Sequence, residues 1–257
     1  MSLLTVDGVT RRYHLPREKL FAPAPVLTAV DRASFTLEAG KTLGIVGESG
    51  SGKSTLARMV MAFEAPDEGK ITFKGQDLNA ISGAELRALR PQFQIIFQDP
   101  YGSLDPRRTA GWSIAEPLRA IRDTADASAR VTRALEQVGL RAEDAHKYPH
   151  EFSGGQRQRL AIARAIITRP HMIVADEAVS ALDVSVQAQI LNLLMDLQDE
   201  LGLAMLFISH DLSVVSAICD EVLVLEHGKT VEHGPSEQVM HAPSHPYTRS
   251  LLTAAGL

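Results

Sequence analysis

One cysteine, Cys219, in 257 residues leaves no partner for an intrachain disulfide and too few thiolates for a zinc or iron–sulfur site, so a packed free thiol is expected. Long apolar runs are missing too. Stretches such as Leu203 to Ile208 fall far short of the roughly 20 residues that a bilayer-spanning helix needs. The N-terminus carries no signal-peptide pattern, and a cytoplasmic location is the expectation. Nor is there an excess of positive charge. A net charge of -5 and a pI of 6.0 provide no global basic field, so nucleic acid is not expected as a partner, whereas a nucleotide needs only local charge. Internal repeats and low-complexity tracts are absent.

What is present is an apolar fraction of 45%, enough for a sizeable core in one large α/β domain or in one with an inserted subdomain. Residues 2 to 46 read as short strands, interrupted by a proline-marked excursion from His14 to Pro25. A buried strand is expected at Leu43 to Val46, and strands at Lys70 to Phe73, Gln94 to Phe97, Met172 to Ala175, Ala204 to Ile208 and Glu221 to Leu225. Helices are expected at Ser54 to Phe63, near Glu85 to Leu89, and at Val186 to Glu200 and Leu212 to Ile218. Between 99 and 168 the strand pattern fades. Helical periodicity at Ile114 to Ile121 and Ala129 to Val138 suggests an inserted helical subdomain carried by a core of 1–98 and 169–257. From Pro243 onward the chain reads as a short tail.

Gly47-Glu48-Ser49-Gly50-Ser51-Gly52-Lys53-Ser54 fits G-x-x-x-x-G-K-[ST], after an apolar strand and before a helix, the context the motif requires. Small residues let backbone N–H groups wrap phosphates. Lys53 is suited to neutralise β/γ oxygens, the Ser54 hydroxyl to ligate magnesium, and Thr55 to add a phosphate contact. ATP or GTP is the expected ligand. A second phosphate site is suggested by Ser153-Gly154-Gly155-Gln156, whose small residues expose N–H groups at the start of a helix that runs into the apolar-periodic stretch Leu160 to Ile167.

Met172 to Ala175 ends in Asp176 and Glu177. In a doubly wound sheet ligand-binding residues sit at strand C-termini, which suits Asp176 to hold magnesium through water and Glu177 to polarise an attacking water. The next strand ends at Ser209-His210, where His210 can reach a γ-phosphate; of nine histidines only this one has that placement.

In this order the P-loop, the serine-glycine-glycine-glutamine stretch, the acidic strand and the strand-end histidine resemble ATP-binding cassette transporter ATPases over almost the whole chain. The resemblance implies a P-loop NTPase core with an N-terminal antiparallel β region and an inserted α-helical subdomain. It implies that Gln98, in Phe97-Gln98-Asp99-Pro100, contacts magnesium and water and relays to membrane subunits. Tyr13 resembles the aromatic that stacks on adenine, with Val30 an alternative. Ser180-Ala181-Leu182-Asp183 resembles the loop that crosses a dimer interface, and Ser153 to Gln156 the signature that caps the γ-phosphate of the opposite subunit.

The same resemblance implies a head-to-tail dimer, of identical or different chains, holding two ATPs with Mg2+. It implies two transmembrane permease subunits and, indirectly, an extracytoplasmic solute-binding protein, with the ATPase peripheral on the cytoplasmic face of the membrane. The run from Phe97 to Arg107 and the tail His245-Pro246-Tyr247-Thr248 are similar to dipeptide, oligopeptide and nickel importer ATPases, which points to uptake. Ala178 stands where most of that family has proline. The tail to Leu257 is shorter than in many relatives, and with one cysteine the cysteine-bound cluster that some of them carry is not expected. A soluble cassette ATPase of a non-transport complex is the alternative; a simple P-loop kinase or GTPase would leave Ser153 to Gln156 without a use.

Overall fold

The computed structural model describes residues 2–16 and 24–257. In chain order, β1 (Ser2–His14), β2 (Val26–Glu38) and β3 (Thr42–Val46) lead through the Gly47 loop into α1 (Lys53–Val60). β4 (Glu68–Phe73) and β5 (Gln76–Asp77) are followed by α2 (Gly83–Leu89) and β6 (Phe93–Ile96). A helical stretch comes next: α3 (Pro100–Ser103), α4 (Ala110–Ile114), α5 (Glu116–Ala120), α6 (Ala127–Gln137) and α7 (Gly154–Ile166). Then β7 (Met172–Asp176), α8 (Val184–Leu201), β8 (Ala204–Ile208), α9 (Leu212–Ile218), β9 (Glu221–Glu226), β10 (Lys229–Pro235), α10 (Ser236–His241) and α11 (Pro246–Ala255) complete the chain. The fold is α/β.

Two compact units divide these elements. The first, residues 1–81 and 207–257, contains an antiparallel sheet in the order β2-β1-β4-β5. It also contains β9, flanked by antiparallel β10 and parallel β3. Every residue of β3 is buried, as its unbroken Thr-Leu-Gly-Ile-Val run requires of a parallel strand covered on both faces. The second unit, Ser82–Leu206, pairs β6 with β7 in parallel, Gln94 opposite Ile173, and carries α2 to α8. β8 runs from the second unit into the first.

Three departures from the sequence pattern have local causes. The N-terminal strands are long, 13 residues each, because irregularities between Val6 and Val9 and again up to Arg12 absorb the breaks in alternation without ending the pairing. The expected helix at Ile114 to Ile121 is two short helices meeting at Ala115, because Pro117 has no N–H to donate and sits instead in the first turn of α5. The C-terminal tail holds a further helix, α11: His245 caps it by accepting the Tyr247 N–H, Pro246 occupies its first position, and Gly256 ends it. Within the His14 to Pro25 excursion, residues 17–23 lie outside the described residues, and the Leu15 N–H donates to the Pro25 carbonyl at 2.8 Å.

Cys219 is buried, and burial pushes its thiol well above the ordinary value, which makes it an inert packing group. Among the described residues no helix is long and apolar enough to cross a membrane.

Candidate functional site

In the first unit the loop after β3 turns under glycine control at two points. Gly47 has φ +148, and a Cβ there would meet the Leu225 carbonyl oxygen at 2.2 Å. Gly52, at φ +106, would strike the Ala29 oxygen at 2.2 Å. Backbone on the far side of each clash cannot give way, so only glycine fits. Gly52 N-caps α1, and Lys53 begins it, 5% exposed, with Nζ donating to the carbonyls of Gly47 at 2.7 Å and Glu48 at 2.8 Å. Ser49, Gly50 and Ser54 are exposed and Thr55 is half-buried. The Ser51 N–H closes the loop on Glu48 O at 3.1 Å.

His210 follows β8 and is exposed. The residues beside it are locked: Ser209 N–H reaches Ile45 O, Asp211 N–H donates to Ser209 Oγ, and the Asp211 carboxylate caps α9 through the Ser213 and Val214 N–H groups. A cavity of about 270 Å³ lies among Gly47, Glu48 and His210. Tyr13 lies elsewhere on β1, opposite Leu27. Its hydroxyl donates to Glu64 at 2.5 Å, just after α1, and the Arg11 guanidinium covers one ring face 5.0 Å from the centroid. That hydrogen bond, together with Arg11 and Arg58, outweighs burial and holds the Glu64 carboxyl below its ordinary value. Val30, the alternative for adenine contact, is fully buried in β2.

In the second unit Ser153 is the N-cap of the 13-residue α7. Its Oγ accepts the Gln156 N–H at 3.3 Å, and Gln156 Oε1 accepts the Ser153 N–H at 3.0 Å, a reciprocal capping box. Ser153, Gly154 and Gln156 stay exposed at this positive helix end. The two glycines differ in role. A Cβ on Gly155 would meet Val186 Cγ1 of α8 at 2.5 Å, whereas one on Gly154 would find nothing nearer than Leu182 at 4.0 Å. Arg157 and Arg159 point back into the fold, donating to the carbonyls of Pro149 and Val138.

β7 is buried through Ala175 and delivers Asp176 and Glu177, both half-buried, at its C-terminal end. Glu177 takes φ +50, a left-handed conformation uncommon outside glycine. Its carbonyl is held twice by Ser180, from the N–H at 3.1 Å and from Oγ at 3.0 Å. Ala178 fills its position at 2% exposure, and the turn is fixed by Ser180 where a proline ring is not there to do it. Ser180 Oγ also accepts Gln98 Nε2 at 3.1 Å, so Gln98 and the segment after Glu177 meet through one hydroxyl. Asp183 stands exposed as the N-cap of α8 without capping it through its side chain, beside an exposed Val184.

Two residues lacked an assignment from sequence. Ser180 was visible only as part of its loop, and Tyr247, whose hydroxyl accepts the Glu48 N–H at 3.2 Å, only as part of a tail motif. The signal for the second was the His-Pro pair that starts α11.

The model of the ABC transporter family matches residues 30–180, more than half the chain. The chain belongs to the ABC transporter family. It is 52% identical, over 98% of its length, to the glutathione import ATP-binding protein GsiA of Escherichia coli K12, and spans 41% of that protein's length. It is also 52% identical to the dipeptide transport ATP-binding protein DppF of Haemophilus influenzae, covering 98% of this chain and 77% of that one. Among solved structures, a dimeric ATP-binding cassette in a post-hydrolysis state with ADP and Pi superposes on this ABC chain with a TM-score of 0.77 at 27% identity, over 91% of this chain and 98% of that one.

Proposed function

We propose that this chain is the ATP-hydrolysing subunit of an ABC importer, powering uptake of peptides or a related small solute through partner permeases. What carries the reading is a loop that needs glycine at 47 and 52 and closes over a buried Lys53, in a member of this family that also exposes the capped N-terminus of α7. The names of the relatives, glutathione import and dipeptide transport, support a peptide cargo. A peripheral position on the cytoplasmic face of the membrane follows from that role.

In this reading the loop from Gly47 through Ser49, Gly50 and Gly52 to Thr55 holds the ATP phosphates, with Lys53 neutralising the β and γ oxygens. Tyr13 stacks on adenine. The residues assigned to Mg2+ are the Ser54 hydroxyl, the Gln98 amide oxygen and the Asp176 carboxylate, an all-oxygen set suited to a hard cation; with Nε2 committed to Ser180, Oε1 is the Gln98 atom left for it. Held there, magnesium would neutralise part of the phosphate charge. Glu177 orients the attacking water and draws its proton, and His210 contacts the γ-phosphate. Water adds to the γ-phosphorus, the bond to the bridging oxygen breaks, and ADP and phosphate leave.

Ser153, Gly154, Gly155 and Gln156 cap the γ-phosphate held by a second ATPase subunit, identical or not, and Asp183 lies at that interface. Two permease subunits and, indirectly, an extracytoplasmic binding protein complete the assembly. The test is phosphate release from ATP by the chain. Ser153→Arg is expected to bind ATP as the parent does but to lose hydrolysis and ATP-driven association; full hydrolysis by that variant contradicts the reading.

A further inference from the structure

The Gly47–Glu48 peptide is gripped at both ends. Its carbonyl oxygen accepts Lys53 Nζ at 2.7 Å, and its N–H donates to Tyr247 Oη at 3.2 Å. The peptide is trans, so the two groups point in opposite directions from one rigid plane. Any rotation of that plane loses both bonds together. Hydrogen bonds in series through one amide also polarise each other.

Tyr247 is itself firmly placed. Its N–H is capped by His245 Nδ1 at 3.3 Å, and its carbonyl accepts Ser250 Oγ at 2.8 Å. The segment before it is clamped to β10, where Glu232 accepts the N–H and Oγ of Ser244 at 2.7 and 2.8 Å and the His245 N–H at 3.1 Å. Burial pushes the Glu232 carboxyl up, but the neighbouring Thr248 hydroxyl and the hydrogen bonds from Ser244 and His245 outweigh it and hold it below the usual range, so the clamp stays charged. Burial raises the Tyr247 phenol, which stays protonated. Leu251 and Ala254 of the same helix wall the cavity that Gly47, Glu48 and His210 open onto.

We propose that Tyr247 of α11 is a positioning residue for Lys53, acting through the Gly47–Glu48 peptide, so that the docking of α11 sets the affinity of the loop for a nucleoside triphosphate. The inference rests on the ATP-binding reading above. The His-Pro-Tyr-Thr tail thereby gains a local role, in which His245 and Pro246 start the helix and Tyr247 delivers its hydroxyl to the loop.

The test measures the dissociation constant of a fluorescent ATP analogue with Mg2+ for the full chain and for Tyr247→Phe, which keeps the ring and removes only the acceptor. In parallel, urea stability is measured without nucleotide for the parent, Tyr247→Phe, Lys53→Ala and the double variant. The expected result is about fivefold weaker binding by Tyr247→Phe, the size of one net hydrogen bond, and a double variant that loses less stability than the two single losses added. Equal binding by parent and Tyr247→Phe overturns the inference and leaves the ATP reading standing. Additive stability losses also overturn it, because Tyr247 then acts by packing alone. A parent chain that binds no ATP overturns the ATP reading and the inference with it.

Discussion

Gln98 Nε2 donates to Ser180 Oγ at 3.1 Å, and that hydroxyl in turn donates to the Glu177 carbonyl at 3.0 Å. A glutamine two residues past β6 is thereby tied to the turn that carries the carboxylate just after β7. Ser180→Ala removes the shared hydroxyl but not the Ser180 N–H bond to Glu177. The expected outcome is a kcat for ATP hydrolysis lower by about fivefold, one net hydrogen bond's worth, with KM unchanged. Steady-state phosphate release checks it, and an unchanged kcat contradicts it.

The glycine pair at the start of α7 separates packing from exposure. Gly155→Ala drives a Cβ to 2.5 Å from Val186 Cγ1, and overpacking of this kind costs about 1–3 kcal/mol. Gly154→Ala meets nothing closer than 4.0 Å and is expected to stay within about 1 kcal/mol of the parent. Adding Val186→Ala to Gly155→Ala is expected to recover most of the loss. Urea unfolding midpoints of the four chains decide the matter.

Asp144, 4% exposed, accepts Lys147 Nζ at 2.7 Å and the Arg141 N–H at 2.9 Å. The Lys147 bond first, then the Arg141 N–H, outweigh burial and hold its carboxyl below the usual range. A lowered folded value means that its contribution is complete above the unfolded aspartate's value, about 3.9, and disappears as pH falls through the folded one. Asp144→Asn is expected to cost about 1.5–3 kcal/mol at neutral pH, as for hydrogen bonds to a charged group. That gap closes on acidification; a gap independent of pH contradicts the assignment.

The strands β3, β7 and β8 were legible in the sequence because they are short, largely apolar runs and each is followed by residues that do not continue them. The residues singled out in the first unit and in the second lie in contiguous motifs, and contiguity is what a single chain displays. Pairings between distant segments were not visible. Tyr247 lies 199 positions from Glu48 and Ser180 lies 82 from Gln98, and no local pattern encodes either meeting. β10 escaped notice because Lys229–Pro235 alternates weakly and none of its residues is fully buried. Pro117 splitting α4 from α5 was readable in principle, since proline at a helix start carries its own signal.

The exposed start of α7 is proposed to complete the phosphate site of a second subunit. Glu177→Gln keeps the size of the side chain and removes the proposed base, so on that proposal ATP is bound but not consumed. Light scattering during size exclusion of Glu177→Gln, with ATP and Mg2+, measures the outcome directly. A dimer that reverts to monomer when Ser153→Arg is added is the predicted result; a strictly monomeric Glu177→Gln chain with saturating ATP contradicts it.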